Sequence, residues 1–212
     1  FGIKEFHDYC NKVNGDINST IKQLNKQLKE LEKSEDQDFE KINNLKREIE
    51  EKKAQRFKPI FGCEMYVAEK SMQEHTSKSD TGRHLVVLAK NEKGYHNLIK
   101  LVSKAWTDGF YSHPRTDKNS LKERKEGLII CSACLGGEIP KLILQERIEE
   151  AKESAKWFKD VFGDDFYLEL QRHKATVPVA NHETFPLQEK VNNILKEFSQ
   201  ELGIKLICSN DV

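Results

Sequence analysis

The stretch EGLIICSACLGGEIPKLIL, Glu126–Leu144, contains the pattern that decides the fold class. Its first half is a continuous apolar run, Leu128–Ala133, with the length and composition of a buried strand. A Gly-Gly pair follows, and apolar residues then return at helical spacing across Ile139–Leu144. A buried strand followed directly by a helix is the repeating unit of α/β proteins.

The same alternation extends along the chain on both sides of this stretch. Further strands are predicted at residues 59–67, 84–89, 166–170 and 204–208, and further helices at residues 93–106, 148–162 and 185–202. Continuous apolar runs that alternate with helices favour parallel strands buried on both faces. The predicted class is therefore α/β, either a barrel or an open sheet, and periodicity does not choose between the two.

The first quarter of the chain has a different character. Apolar residues at helical spacing predict a helix over residues 1–13, and Asn14-Gly15-Asp16 predicts a break after it. Apolar residues then recur at steps of three and four over residues 17–31 and again over 39–49, separated by the polar segment Ser34–Asp38. Two narrow apolar stripes joined by a polar turn predict an antiparallel helical hairpin of coiled-coil type.

Charge and cysteine content limit the classes of function. The 35 Lys and Arg residues balance the 35 Asp and Glu residues, so the chain offers no basic field for non-specific attraction to nucleic acid. Five cysteines, an odd number, with no apolar signal segment and no membrane-spanning stretch, indicate reduced thiols in a cytoplasm. The start at Phe1-Gly2 and the end at Asp211-Val212, directly after a predicted strand, suggest a piece of a longer protein.

Four side chains of metal-ligand type fall near predicted strand ends. In α/β folds the chemistry gathers at the C-terminal ends of strands. Glu64 lies late in the first predicted strand, Cys134 follows the third and Asp211 follows the last. His84 is the exception, because it begins its strand. A set of carboxylate, imidazole and thiolate suits Zn²⁺ or a related transition metal better than Ca²⁺ or Mg²⁺.

Simpler interpretations stand beside this one. A single acid near a strand end is more often a capping or ion-paired residue, and a cysteine among apolar residues is usually a small buried hydrophobe. Cys131 and Cys134 form a CxxC motif, but no second pair completes a four-cysteine zinc site. A thioredoxin-like motif would open a helix, whereas this one closes a strand. Gly136 and Gly137 could approach a phosphate or could form an ordinary tight turn.

Several phrases, taken in order, identify a family. The chain strongly resembles the N-terminal PHP (polymerase and histidinol phosphatase) domain of bacterial DNA polymerase III alpha subunits. The resemblance covers nearly everything outside residues 15–57 and 174–184. The phrases that carry it are KPIFGCEMYVA (58–68), HLVVLAKNEKGYHNLIKLVSKAWTDGFY (84–111), PRTDKNSL (114–121), EGLIICSACLGGEIPKLIL (126–144), FGDDFYLELQRH (162–173) and ELGIKLICSNDV (201–212).

The resemblance implies a distorted (βα)7 barrel with up to three metal ions, Zn²⁺ or Mn²⁺, at the C-terminal ends of its strands. Residue by residue, it assigns metal-ligand roles to Glu64, His84, Cys134 and Asp211. The family's early His-x-His pair, an Asp and a further His would precede Phe1, and its last His would follow Val212. The chain is therefore expected to be an incomplete barrel that lacks its first strands and retains four of about nine ligands.

The resemblance also implies an activity. The parent enzyme would copy DNA together with other replisome subunits. Its Mg²⁺ ions would be held in a palm domain that this chain lacks. An intact PHP domain of this kind supports phosphodiester hydrolysis, including 3′–5′ exonuclease proofreading. The piece itself is expected to bind metal weakly, to catalyse nothing, and to associate with itself through exposed strand edges.

The resemblance leaves two alternative functions open and indicates one insertion in the domain. In some members the ligands have decayed and the domain is a structural scaffold, and a free-standing phosphatase similar to histidinol phosphatase is a more distant alternative. The domain division expected is a partial PHP domain over residues 1–14 and 58–212, interrupted by the hairpin at 15–57. That hairpin would project into solvent as a strut or contact DNA or another replisome component.

Overall fold

The computed structural model describes residues 2–34, 38–74, 81–175 and 184–211. The chain divides into two compact units, Phe1–Pro59 and Ile60–Val212.

The first unit consists of two helices, α1 (Gly2–Glu32) and α2 (Phe39–Ala54). The break predicted at Asn14-Gly15-Asp16 is wrong, because α1 continues through all three residues. Instead of capping a helix, the buried carboxamide of Asn14 hydrogen-bonds both backbone groups of Phe57: its Nδ2 donates to the carbonyl at 2.7 Å and its Oδ1 accepts from the N–H at 2.9 Å. This external partner lets a turn-forming residue stay within the helix.

Two further contacts organise these helices. The Asp38 side chain caps α2 by accepting from the Lys41 N–H at 3.1 Å. The two helices are joined by an ion pair between Lys46 of α2 and Glu32 at the end of α1, with 3.0 Å between nitrogen and oxygen. The predicted apolar stripes supply the buried aliphatic side chains of the unit, which are Leu24, Ile42 and Ile49.

The second unit alternates strands and helices as the sequence predicts. Its elements are β1 (Gly62–Val67), β2 (Arg83–Ala89), α3 (Glu92–Thr107), β3 (Phe110–Tyr111), β4 (His113–Thr116), α4 (Lys118–Glu123), β5 (Leu128–Cys131), α5 (Glu138–Leu144), α6 (Ile148–Phe162), β6 (Phe166–Gln171), α7 (Phe185–Leu202) and β7 (Lys205–Ser209). A 3₁₀ turn, Gly163–Asp165, joins α6 to β6.

The strands form one mixed sheet in the order β3-β4-β1-β2-β5-β6-β7. Strand β2 runs antiparallel to both of its neighbours, β1 and β5, and β3 runs antiparallel to β4. The other three pairings are parallel, so β4, β1, β5, β6 and β7 share one direction. The expectation of parallel strands is therefore wrong for β2, the one predicted strand that runs in the opposite direction. Apolar runs reveal burial but not strand direction.

The two faces of the sheet differ in burial. Along β1 and β2, Met65, Val67, Leu85 and Val87 are buried, while the residues between them are half-buried or exposed. The buried face meets α3, α5, α6 and α7 in the main core, which includes Leu98, Ile143, Phe158 and Leu195. The opposite surface, called the open face below, carries the side chains of Glu64, Tyr66, His84, Cys131, Glu169, Gln171 and Ser209, as the strand registers show. Burial on both faces thus fails for β1 and β2.

Three short elements were not predicted from the apolar pattern. Strand β3 has only two residues, β4 and α4 have few apolar residues, and the most buried side chain of β4 is Arg115, with no exposed surface. Its guanidinium donates to the Met72 carbonyl at 3.1 Å and lies over the Tyr111 ring. Asp117 then caps α4 and accepts a second hydrogen bond from the Met72 N–H. Polar residues that satisfy one another replace the usual apolar signal here.

Candidate metal centre

Three of the four predicted ligands meet at one point. One donor atom from each of Glu64, His84 and Cys134 lies within 4.8 Å of the others. The His84 Nδ1 is 2.7 Å from the Glu64 Oε1 and 3.3 Å from the Cys134 Sγ. The imidazole nitrogen therefore stands between a carboxylate oxygen and a sulfur.

The reversed direction of β2 explains how His84 reaches this point. Tyr66 lies opposite His84 in the β1–β2 ladder, and Glu64 lies one pleat away on the same face. Because β2 is antiparallel to β1 and β5, its first residues lie at the edge where those strands end. His84, which seemed an exception to the strand-end rule, follows it once the direction of β2 is known.

Cys134 is placed by the turn between β5 and α5. Ala133 has a positive φ of 62°, which turns the chain sharply after the strand. The Gly137 N–H then donates to the Cys134 carbonyl at 2.9 Å, and the Gly136 N–H lies 3.4 Å from the Cys134 Sγ. The thiol is thus held at the strand end by backbone contacts.

The ring of His84 is packed tightly on two sides. Tyr66 meets it edge-on, with 5.0 Å between ring centroids. A Cβ at Gly136 would lie 3.0–3.1 Å from the imidazole, so a side chain there would push the ring. The backbone N–H of His84 also donates to the Gly136 carbonyl at 3.1 Å. These contacts orient the imidazole towards Glu64 and Cys134.

The pKa of the Cys134 thiol is raised above its ordinary value. Burial is the largest cause, and the charges of Asp211 and Glu64 add to it, while the Gly136 N–H acts in the opposite direction. A cation between these groups would favour the thiolate, because it would offset the negative charges that now oppose ionisation.

Asp211 lies near the other three ligands but not among them. It is exposed, has a positive φ of 52°, and is outside the group whose donor atoms approach within 4.8 Å. Its charge nevertheless contributes to the raised pKa of Cys134. Its role as a ligand stays a prediction.

The glycine pair serves the turn. The N–H groups of Gly136 and Gly137 both face acceptors of Cys134, and a Cβ at Gly137 would lie 2.3 Å from the Ser132 carbonyl oxygen. Close packing therefore accounts for both glycines. Contact with a phosphate stays a prediction that would require these N–H groups to change partners.

The other cysteine of the CxxC motif, Cys131, lies outside the three-donor group. It is buried at the end of β5. Burial, with a smaller effect from the Glu169 charge, raises its pKa to about 12. A thiol of this kind is a small buried hydrophobe rather than a reactive group.

A set of polar residues beside the centre was not singled out from the sequence. Glu169, Gln171 and Ser209 form a hydrogen-bonded cluster on the open face, and His173 contacts the Asn210 carbonyl. The phrase LELQRH contains three of these residues. Their alternation with buried leucines was the available signal, since it places polar side chains on one face of a strand that is largely buried.

The fold and the site together define a class. The protein is an α/β protein with a cluster of mixed carboxylate, imidazole and thiol donors where the strands of common direction end. This donor set fits a transition metal such as Zn²⁺ better than Mg²⁺ or Ca²⁺. Among the residues that the structure describes, Cys131 belongs to no such group.

Comparison with known families agrees with that class. The PHP domain family matches residues 7–173, which is most of the chain. The chain belongs to the PHP domain family.

Individual relatives are DNA polymerase III alpha subunits. The subunit of Borreliella burgdorferi is 52% identical over 128 residues, 60% of this chain and 10% of the relative. Those of Thermus aquaticus and Treponema pallidum are 42% and 43% identical over 128 and 130 residues, again about 60% of this chain and 10% of each relative. The chain thus spans about a tenth of the length of these relatives. Across the described residues, none of the helices combines the length and apolar character needed to cross a membrane.

Proposed function

We propose that this chain is part of the PHP domain of a replicative DNA polymerase, the alpha subunit of polymerase III. Several relatives of that name match about 60% of the chain, at up to 52% identity. The whole protein would synthesise DNA in the cytoplasm, with DNA and other replisome subunits as partners. The sheet would form most of an incomplete (βα)7 barrel whose inner surface is the open face.

The domain itself would be a metal-dependent phosphoesterase with 3′–5′ exonuclease activity. The observation that carries this proposal is the convergence of Glu64, His84 and Cys134 donor atoms within 4.8 Å at the strand ends. These donors come from three separate segments of the chain, β1, β2 and the turn after β5. The turn after β5 and the packing around the His84 imidazole hold these donors in place, which is not expected for a chance cluster on a surface.

Each residue would have a distinct part in holding Zn²⁺ or Mn²⁺. Glu64 would provide a carboxylate oxygen, His84 its Nδ1 and Cys134 its sulfur, with Asp211 approaching from the end of β7. His84 Nδ1 must give up any proton it shares with Glu64, and the Cys134 thiol must lose its own, before either can ligate. A bound divalent ion would polarise a phosphoryl oxygen and lower the pKa of a water that attacks it.

One observation favours a scaffold as the second candidate function. The structure brings together three donors, while Asp211 remains outside the group. Three donors hold a divalent ion less firmly than the larger set expected for the family. The chain alone would then bind metal weakly and hydrolyse nothing. A free-standing phosphatase gains no support from the relatives, which are named as polymerase subunits.

The helices of the first unit would be an insertion in the PHP domain. We assign it to residues 15–57, with residues 1–14 and 58–212 as the partial PHP domain. The ion pair between Glu32 and Lys46 and the contact between Asn14 and Phe57 fit an antiparallel hairpin. Its charged exterior suits a strut in solvent, and a surface for DNA or a replisome subunit is the alternative.

The proposed activity is tested with the full-length protein on single-stranded DNA labelled at its 5′ end. Shortening from the 3′ end with added Zn²⁺ or Mn²⁺ is expected for the native protein. His84→Ala and Cys134→Ala should reduce it by more than about a hundredfold, since losing even an outer partner of a metal centre costs about 10- to 100-fold. His96→Ala, at an exposed histidine of α3, is the matched control. Equal digestion by all variants, or none by the native protein, would leave the scaffold as the function.

A further inference from the structure

We propose that Glu169 and His173 are positioning residues that hold the end of β7 so that Asp211 lies beside Cys134. This inference rests on the proposed function, because it concerns the fourth ligand of the same centre. It assigns a role to two side chains that neither touch the three-donor group nor resemble ordinary core residues.

Glu169 attaches to the last residue of β7. Its side chain is only 7% exposed, and its Oε1 accepts from the Ser209 hydroxyl and, at 3.2 Å, from the Gln171 Nε2. The Glu169 N–H donates to the Ser132 hydroxyl at 2.8 Å, which ties the same residue to the segment that leads to Cys134. One buried residue thus connects the strand end before Cys134 with the strand end before Asp211.

The second carboxylate oxygen of Glu169 has a different environment from the first. Oε2 is buried and has no hydrogen-bond partner among the described residues. Glu169 and Cys134 both line a small cavity, about 10 Å³, between β6 and α7. A carboxylate is a costly choice at such a position unless its charge is used. Here it stands next to the proposed cation site.

His173 attaches to the next residue along, Asn210. The backbone N–H of His173 donates to Gln188 Oε1 at 2.7 Å, which fixes the orientation of that amide. The Gln188 Nε2 must therefore donate to His173 Nδ1, 2.8 Å away. With Nδ1 acting as acceptor, the neutral ring carries its proton on Nε2 and donates to the Asn210 carbonyl at 2.6 Å.

Together these contacts fix two consecutive residues, Ser209 and Asn210, immediately before Asp211. Asp211 has a positive φ of 52°, a conformation that a non-glycine residue adopts when its neighbours hold it there. Gln188 is 2% exposed and anchors the arrangement to α7. The position of the carboxylate is therefore set from β6 and α7.

A double-mutant cycle in the full-length protein tests the role of His173. Zn²⁺ affinity is measured for the native protein, His173→Ala, Asp211→Ala and the double variant. We expect His173→Ala to weaken binding by about 10- to 100-fold, as outer residues of metal centres do, and to have no further effect once Asp211 is removed. An equal loss in both backgrounds would overturn the proposal, because His173 would then act without Asp211.

Glu169 is tested with two variants. Glu169→Ala should weaken Zn²⁺ binding on the same scale, whereas Glu169→Gln, which loses the negative charge but keeps an acceptor for Ser209, should weaken it less. Glu197→Gln, on the exposed face of α7, is the charge control. If Glu169→Ala does not fold, the histidine cycle and the Gln variant still decide the matter, since a Gln variant as weak as Asp211→Ala would contradict positioning through Ser209.

A metal-free measurement separates this proposal from the proposed function. Hydrogen exchange of residues 205–211 should be faster in His173→Ala than in the native protein, by about tenfold, while residues 62–67 are unchanged. If the native protein binds no Zn²⁺, the proposed function fails and exchange alone judges the positioning. Unchanged exchange in residues 205–211 would overturn the positioning, whatever the metal does.

Discussion

At the scale of single residues, the centre depends on an imidazole that two neighbours compete for. His84 Nδ1 faces both the Glu64 carboxylate and the Cys134 sulfur, and Tyr66 and Gly136 prevent the ring from turning away. None of these packing residues is a ligand. The arrangement would be in place before an ion binds, which would reduce the entropy cost of binding.

Cys131 leads to a prediction about stability and pH. Its folded-state pKa of about 12 lies above the ordinary value of 9.0, so the unfolded chain loses this proton first as the pH rises. Stability is therefore unaffected below about pH 9 and falls above it, by up to about 1.4 kcal/mol per pH unit from this thiol. Urea unfolding from pH 8 to pH 11 should show a shallower decline in Cys131→Ala.

The control for this prediction is Cys208→Ala, at an exposed thiol of β7. It should decline with pH as steeply as the native protein. If Cys131→Ala and the native protein had the same slope above pH 9, burial of Cys131 would not govern its ionisation.

At the scale of elements, strand direction and helix continuity carry the main findings. The apolar runs correctly predict β1, β2, β5, β6 and β7 and helices α3, α5, α6 and α7, because burial imposes a readable period. They do not reveal that β2 is reversed, since an antiparallel strand can have the same composition. They also miss β4, whose buried residues, Arg115 and Thr116, are polar. Asn14-Gly15-Asp16 wrongly predicts a helix break for a related reason. The hydrogen-bond partner of Asn14, Phe57, is 43 residues away in the sequence.

Glycine substitutions test whether α1 is continuous. Gly15 lies in the interior of α1, and a Cβ there would have open space around it. Gly15→Ala should therefore raise the free energy of unfolding of the first unit by about 0.5–1 kcal/mol. Circular dichroism during thermal unfolding provides the measurement.

Gly163 is the matched control for that substitution. A Cβ at Gly163 would also have open space, but its φ of 59° is one that side chains rarely adopt. Gly163→Ala should lower stability by about 1–2 kcal/mol. If Gly15→Ala were also destabilising, the chain would break at Asn14–Asp16 as its sequence first suggests.

At the scale of the whole molecule, long sequence phrases were enough to indicate the family, whereas the candidate site became visible only in the structure. The structure brings together Glu64, His84 and Cys134, three of the four residues that the resemblance names as ligands, although spacing alone left each with a simpler explanation. Alternation along β6 indicated polar side chains on one face, but the cluster around Glu169 and His173 was not predicted because its hydrogen bonds join β6 and the residue His173 with the end of β7 and with α7. Such contacts depend on strand register, which no local pattern contains.

The edge of the sheet leads to a prediction about association. Among the described strands, β7 pairs with β6 alone, and its Leu206 and Ile207 are 39% and 37% exposed. The 212-residue chain should therefore self-associate as its concentration rises. Ile207→Lys should weaken association about tenfold in sedimentation velocity, whereas Leu187→Lys, at an exposed leucine of α7, should not. A monomer at every concentration would contradict this.

The most direct test of the central claim is a Co²⁺ titration of the full-length protein, followed by absorption. A cobalt ion bound by a cysteine sulfur gives a thiolate-to-metal charge-transfer band, so the band reports the proposed donor set itself. We predict the band in the native protein and in Cys63→Ser, at a neighbouring half-buried thiol, and its loss in Cys134→Ser. A native protein without the band, or a band that persists in Cys134→Ser, would contradict a metal centre built on Glu64, His84 and Cys134.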